Sequence, residues 1–359
     1  MTTRTVFTAV ASLLLTIACD GGMTGPSYLH LTSLAPSAYF SCGLDAEGRA
    51  YCWGSDNSRG QLGDGTNAAS DAPVRVRTGA RFTAIAAGAA HACGLDANGR
   101  TFCWGDNAEH QVGTTTTDLD CNLRQPNGWM QDFGNACAVV PAPVETALRF
   151  VKIAAAEYRT CGLTSGGEIW CWGAGVLGDS AGTSESSTPV RVSSAARFQE
   201  MGLGPYHTCA SGSDGMGYCW GSNNDGSLGG GTADSLVGAR LVPHAINSAA
   251  FIRRWALGRE HTCALTGSGQ ALCWGRGDAG QRGDSTTVPV RNEPTYVATT
   301  LRFGRIAAAA NATCARQQRI QGGHRRHGGV VPPHRHPVVR GEEQLAAGDN
   351  HVCGRTATG

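Results

Sequence analysis

Residues 82–105 read FTAIAAGAAHACGLDANGRTFCWG. An apolar run, Phe82 to Gly88, leads into His91-Ala92-Cys93-Gly94-Leu95, then the turn signal Asn98-Gly99, then Phe102-Cys103-Trp104-Gly105. The same order recurs as His261-Thr262-Cys263-Ala264-Leu265, Gly267-Ser268-Gly269 and Leu272-Cys273-Trp274-Gly275. Aligning on the first cysteine of each copy gives seven starts: Cys42, Cys93, Cys161, Cys209, Cys263, Cys314 and Cys353. Successive spacings are 51, 68, 48, 54, 51 and 39 residues, so the unit is close to 50. A period of that size marks a repeat architecture in which neighbouring units bury one another.

Each unit reads as short strands broken by turns. Cys263 to Thr266 and Gln270 to Cys273 flank a glycine-rich turn, the pattern of a hairpin. In the first unit the Trp-Gly step is followed by Gly60-Gln61-Leu62-Gly63-Asp64-Gly65, then Pro73-Val74-Arg75-Val76, a further short strand. Proline there belongs at a strand start or a sheet edge, because it cannot donate to the ladder. Helical periodicity is absent. Four short strands per unit imply a propeller blade or a β-solenoid coil, and seven units favour a closed ring, which removes exposed edges.

These units resemble the RCC1 (regulator of chromosome condensation) repeat: a His-x-Cys strand, a turn, Trp-Gly and Gly-Gln-Leu-Gly. Versions of the last element are Gln61-Leu62-Gly63, Gln111-Val112-Gly113, Leu177-Gly178, Leu228-Gly229 and Gln281-Arg282-Gly283. The resemblance covers residues 28–316 well and the remainder in part. It implies an all-β, seven-bladed β-propeller over residues 28–359, with the last blades irregular or incomplete. Trp53, Trp104, Trp172, Trp220 and Trp274 then pack between blades, an aromatic side chain burying some ~150–250 Å²; a row of ligand-binding tryptophans is the alternative.

Five cysteine pairs share one spacing: Cys42/Cys52, Cys93/Cys103, Cys161/Cys171, Cys209/Cys219 and Cys263/Cys273. Ten residues across a short turn place the partners opposite each other on a hairpin, close to disulfide reach. Zinc would need four ligands per site, and no Cys-x-x-Cys occurs. Five disulfides are expected, and no metal. Cys121 and Cys137 fall in an insertion, residues 114–141, and a disulfide between them would staple it. Between them lie Trp129, Met130 and Phe133. A stapled loop carrying aromatic residues is a candidate recognition element; the other reading is a loop folded back on its own blade.

The first 18 residues, MTTRTVFTAVASLLLTIA, have a positive n-region at Arg4 and an apolar stretch too short to span a bilayer comfortably. Leu15-Thr16-Ile17-Ala18-Cys19 follows the pattern of a bacterial lipoprotein signal, with Thr16 looser than usual. The expectation is a signal peptide over 1–18, lipidation at Cys19 and a linker over 19–27. The mature protein would then be exported and lipid-anchored in the cell envelope, on the periplasmic side or the cell surface, where disulfides persist. A plain secretory signal with an incidental cysteine is the alternative.

The sixth unit breaks the pattern. The partner of Cys314 belongs at His324, and neither Trp-Gly nor Gly-Gln-Leu-Gly follows. Residues 317–340 read QQRIQGGHRRHGGVVPPHRHPVVR, without an acid, an aromatic or a cysteine, and the repeat resumes at Leu345. His324, His327, His334 and His336 admit a metal-binding tract. A segment translated out of frame accounts for all the losses together and for the short 39-residue spacing, and is the expectation. The ring is then expected to be incomplete in this chain.

Glycine supplies 51 of 359 residues, about twice the usual ~7% and consistent with a turn-rich chain. Net charge is +1, which leaves no electrostatic footprint for nucleic acid. No P-loop, dinucleotide fingerprint or nucleophile elbow is present, and no cofactor is implied. His91, His207, His261 and His351 sit two residues before a blade cysteine, a once-per-blade recurrence that points to structure rather than catalysis. Asp64, Asp179 and Asp284 follow the last glycine of the loop element and shape its turn. No catalytic residue is assigned. The expected function is an exported scaffold that binds an unknown protein or glycan. The alternatives are guanine-nucleotide exchange, by resemblance, and a propeller-fold glycan lyase or hydrolase.

Overall fold

A computed structural model describes residues 29–115, 136–231, 238–286, 288–318, 342–347 and 352–356, the last two segments as backbone. Among them there is no α-helix. The first sheet holds β1 (Leu31–Pro36), β2 (Phe40–Asp45), β3 (Ala50–Gly54) and β4 (Ser70–Arg75) in that order. The second holds β5 (Phe82–Ala87), β6 (His91–Asp96), β7 (Thr101–Asp106) and β8 (Cys137–Pro143), and the third β9 (Phe150–Ala156), β10 (Arg159–Thr164), β11 (Ile169–Ala174) and β12 (Glu185–Arg191). The fourth holds β13 (Phe198–Leu203), β14 (His207–Gly212), β15 (Gly217–Ser222) and β16 (Ala239–Ala245), and the fifth β17 (Ile252–Leu257), β18 (His261–Thr266), β19 (Ala271–Arg276) and β20 (Val290–Tyr296). Two antiparallel pairs follow: β21 (Phe303–Ala308) with β22 (Thr313–Gln317), and β23 (Glu342–Ala347) with β24 (Val352–Thr356).

Within each four-stranded sheet the strands are consecutive and antiparallel, the meander of a propeller blade. The first strands of successive sheets lie side by side, from β1 through β5, β9, β13, β17 and β21 to β23, and β23 lies against β1. The succession therefore returns to its start through the two-stranded sheets. Residues 319–341, with the histidine-rich tract, lie outside the described residues.

The outer strands share one device. Each contains a proline, Pro73, Pro141, Pro189, Pro243 or Pro294, placed where the register slips against the third strand. A bulge absorbs the missing donor, and a kinked edge with proline resists pairing with another chain. In the second sheet the ladder already begins at Cys137, opposite Asp106. Residues 137–141 thus belong to β8, which corrects the insertion boundary drawn from sequence: Cys137-Ala138-Val139-Val140 pairs as a strand, and the excess loop ends before it.

The core lies between the sheets. Trp104, Trp172, Trp220 and Trp274 are fully buried. Trp104 stacks on Phe82 at 6.1 Å and Trp172 on Phe150 at 5.9 Å, each within its own sheet. On the other side the indole meets the preceding sheet: a Cβ added at Gly63 would lie 2.7 Å from the Trp104 ring. The Trp104 N–H donates to the Gln61 carbonyl at 3.0 Å, Trp172 to Gln111 at 3.1 Å and Trp274 to Ser227 at 2.8 Å. Trp220 faces the shortened loop Gly175-Val176-Leu177-Gly178, and its N–H has no partner. Trp53 is only half-buried.

Disulfides join Cys42–Cys52, Cys93–Cys103, Cys161–Cys171, Cys209–Cys219 and Cys263–Cys273. Each links residues directly opposite on strands two and three. A closed loop this short restricts the unfolded chain by about 2–3 kcal/mol. Cys137 is disulfide-bonded; Cys121, Trp129, Met130 and Phe133 lie outside the described residues, as does Cys19 with the whole of residues 1–28.

Candidate functional site

The residues that recur once per sheet are engaged in joining one sheet to the next. His91 Nε2 lies 2.9 Å from Thr160 Oγ1, His207 Nε2 2.6 Å from Thr262 Oγ1, and His261 Nε2 2.8 Å from Thr313 Oγ1. Each threonine immediately precedes the first cysteine of the following sheet. The Thr160 hydroxyl donates to the Gln111 carbonyl and the Thr262 hydroxyl to the Ser227 carbonyl. A hydroxyl has one proton, so it accepts from the imidazole, and His91 and His207 carry their proton on Nε2. The Nδ1 atoms of all three are buried and unpartnered. Burial holds His91 and His207 down to about 3 and His261 to about 4, so these rings are neutral. Neutral, enclosed and fully hydrogen-bonded on one nitrogen, they serve cohesion rather than proton transfer.

Space for each ring comes from a glycine three residues earlier. A Cβ at Gly88 would lie 2.2 Å from His91 Cε1, and one at Gly258 2.1 Å from His261 Cε1. In the third sheet the pair is Ala156 and Arg159. The Arg159 guanidinium replaces the imidazole and donates to the carbonyls of Gly204 and His207, both at 3.1 Å. Burial lowers its pKa to about 10, opposed by the Glu157 charge. Thr208, which would receive the missing histidine, has a buried hydroxyl without a partner.

The turn aspartates act locally: Asp64 accepts from Thr66, Asp179 from Thr183, and Asp284 from Thr286, Arg282 and Arg291. Among the described residues no group of three or more His, Cys, Asp and Glu is placed to hold a metal ion.

Three exposed tyrosines lie at one end of the ring axis. In the first six sheets the inner strand turns into the second through a two-residue loop, as between Gly88 and His91 or Gly204 and His207, where the glycine N–H donates to the histidine carbonyl. These turns surround a cavity of about 250 Å³, lined by Ser37, Ala89, Glu157, Pro205, Arg259 and Ala310 among others. They are tied to one another: Ala89 N–H donates to the Glu157 carbonyl, Arg259 N–H to the Ala310 carbonyl, and the Ser37 hydroxyl to the Gly88 carbonyl. The second residue of the loop is Tyr39, Tyr158 or Tyr206 in the first, third and fourth sheets, 61%, 45% and 41% exposed. The Arg259 guanidinium lies over the Tyr206 ring, 5.6 Å from its centre. Burial, then the charges of Glu157, Asp106 and Glu109, push the Tyr158 phenol up. Glu157 holds φ at 46°, a left-handed conformation uncommon outside glycine and enriched at binding sites. Sequence reading missed these tyrosines, although all three stand three residues before the first cysteine of their unit.

The closed succession of antiparallel meanders is a β-propeller. The model of the Regulator of chromosome condensation (RCC1) repeat matches residues 47–95 and 214–265, and a second model of that repeat matches 82–111, 150–178 and 256–281. Models of this repeat thus match within residues 47–111, 150–178 and 214–281. The RCC1 domain-containing protein RUG3, mitochondrial, of Arabidopsis thaliana is 29% identical over 162 residues, 43% of this chain and 32% of that protein. The probable E3 ubiquitin-protein ligase HERC3 of Homo sapiens is 33% identical over 147 residues, 38% of this chain and 12% of that protein. The match therefore spans a third or less of these relatives. Among solved structures, Prp20p of Saccharomyces cerevisiae superposes with TM-score 0.65 at 22% identity, covering 79% of this chain and 68% of its own. Human WBSCR16 gives 0.66 at 17% identity, covering 79% and 71%. The CRINKLY ectodomain of the Arabidopsis thaliana receptor kinase ACR4 gives 0.54 at 20%, covering 91% and 92%.

Proposed function

We propose that this propeller is an interaction scaffold that holds a protein partner at the tyrosine-bearing end of its axis. The observation that carries the reading is the contrast between repeated residues. His, Thr, Trp and Cys are consumed in packing, whereas Tyr39, Tyr158 and Tyr206 stand exposed on equivalent turns around one cavity. Tyrosine offers a large rigid contact with little rotamer entropy to lose, and is enriched where proteins meet. Structures of the same fold concern Prp20p binding to Gsp1p and histones, and Kap60 bound to yeast RCC1; partner binding on such a ring is the precedent applied to this chain.

The scaffold is further proposed to be exported and anchored through Cys19, on the pattern of residues 1–19. Five disulfides suit an oxidising compartment. Tyr39→Ala/Tyr158→Ala/Tyr206→Ala is expected to keep the melting temperature and lose the partner that wild type retains from an envelope extract, while Tyr296→Ala retains it. Equal recovery by both variants contradicts the assignment. Detergent-phase partitioning of Cys19→Ser tests the anchor: movement to the aqueous phase is expected, and retention contradicts it.

A further inference from the structure

At the opposite end of the axis the inner strands β17 and β21, with β22, bring four arginines together. Arg253 and Arg254 lie near the start of β17, and Arg305 near the start of β21, the strand packed beside it. Arg316 on β22 is the cross-strand partner of Arg305. The Arg253 guanidinium reaches across to the Phe303 carbonyl at 3.4 Å, and the Nε atoms of Arg253 and Arg254 are buried without a hydrogen-bond partner. Among the residues whose side chains are described, no carboxylate forms an ion pair with any of the four.

The neighbouring sheets show what this position ordinarily does. Lys152 on β9 and Glu200 on β13 occupy the third place of their strands, as Arg254 and Arg305 do of theirs, and they form an ion pair between adjacent sheets. Arg254 on β17 follows Glu200 in this succession and Arg305 on β21 comes next, so two like charges take the next two places and two more stand beside them. Like charges opposed on neighbouring strands are destabilising without a counter-charge. Burial, and then the charges of Arg254, Arg316 and Arg253, push the Arg305 guanidinium down. Planar guanidinium groups with free N–H bonds match the oxygen pairs of a tetrahedral oxyanion.

We infer that Arg253, Arg254, Arg305 and Arg316 form a binding site for a phosphate group at the end of the axis away from the tyrosines. Arg254 and Arg305 clasp it from adjacent sheets, while the exposure of Arg305 leaves one side open to solvent. The site stands independently of the proposed partner surface.

Calorimetric titration of the full chain with inorganic phosphate, and separately with phosphoserine, tests it, at constant ionic strength set with sodium chloride. Saturable binding at one site is expected, together with a rise in melting temperature that chloride does not reproduce. Tighter binding of phosphoserine identifies an ester-borne group, and tighter binding of inorganic phosphate the free ion. Arg254→Gln and Arg305→Gln should each weaken binding at least tenfold, and Arg305→Gln should raise the melting temperature in phosphate-free buffer by relieving repulsion. Arg149→Gln, on a distant turn, should leave binding unchanged. Absence of saturable binding to either probe, or binding within twofold of wild type in Arg254→Gln/Arg305→Gln, overturns the inference.

Discussion

The Nε2 of His207 lies 2.6 Å from the hydroxyl of Thr262 in the next sheet, and that hydroxyl lies 2.8 Å from the Ser227 carbonyl. One buried hydroxyl thus accepts a hydrogen bond from the ring behind it and donates one to the loop before its own sheet. Thr262→Val leaves a buried imidazole N–H unsatisfied, while the Ser227 carbonyl keeps the Trp274 N–H, and is expected to cost about 1–3 kcal/mol. Thr208→Val removes a hydroxyl that already lacks a partner and is expected to be neutral or stabilising. Urea unfolding of the two variants should move in opposite directions or differ by at least about 1 kcal/mol.

Three buried histidines make stability depend on pH. Their folded values, about 3 for His91 and His207 and about 4 for His261, lie below the ordinary 6.5 because burial disfavours the charged ring. Below the ordinary value the unfolded chain binds protons that the folded chain does not. Their contribution is therefore complete above about pH 6.5 and is lost as pH falls toward about 4, by about 1.4 kcal/mol per unit per histidine. Urea midpoints measured between about pH 7.5 and about pH 5 should fall steeply, and His91→Gln should flatten the fall by about a third.

The glycine that admits each ring predicts an epistatic pair. In the third sheet, Arg159→His alone would press the imidazole against the Ala156 methyl group and should destabilise the protein. Ala156→Gly/Arg159→His supplies both the space and the ring, and offers Thr208 the donor it lacks. The double variant should recover most of the loss from the single one, read as a coupling energy of about 1 kcal/mol or more in a double-mutant cycle.

The contact of Trp104 with Gly63 tests the joint between sheets. Gly63 holds φ at 65°, and a Cβ there would meet the indole at 2.7 Å. Gly63→Ala is expected to cost about 2 kcal/mol or more, combining left-handed strain with the displaced ring. Gly79→Ala, whose Cβ meets nothing within 4 Å, should change the thermal midpoint little.

The fold was legible because its grammar repeats. Paired cysteines, Trp-Gly and the proline strand recur often enough to assign four strands to a unit, and the hairpin register follows from cysteines ten residues apart. The partners of the histidines were not legible. His91 and Thr160 are 69 residues apart and meet only once adjacent sheets are packed. The tyrosines escaped notice because only three sheets carry one at that turn, where others have Ala90, Glu260 or Asn311. The arginine cluster is a property of neighbouring inner strands, and no single repeat contains it.

The central claim is that partners meet the turns carrying Tyr39, Tyr158 and Tyr206. Met216 supplies the control, since it is 43% exposed on a strand-two to strand-three turn at the other end of the ring. The decisive measurement is site-specific photo-crosslinking with benzoylphenylalanine at Tyr206 and, separately, at Met216, in cells expressing the full chain. The account predicts a discrete protein adduct from position 206 that competes away with unmodified chain, and none from position 216. Adducts from position 216 with none from 206 would contradict it.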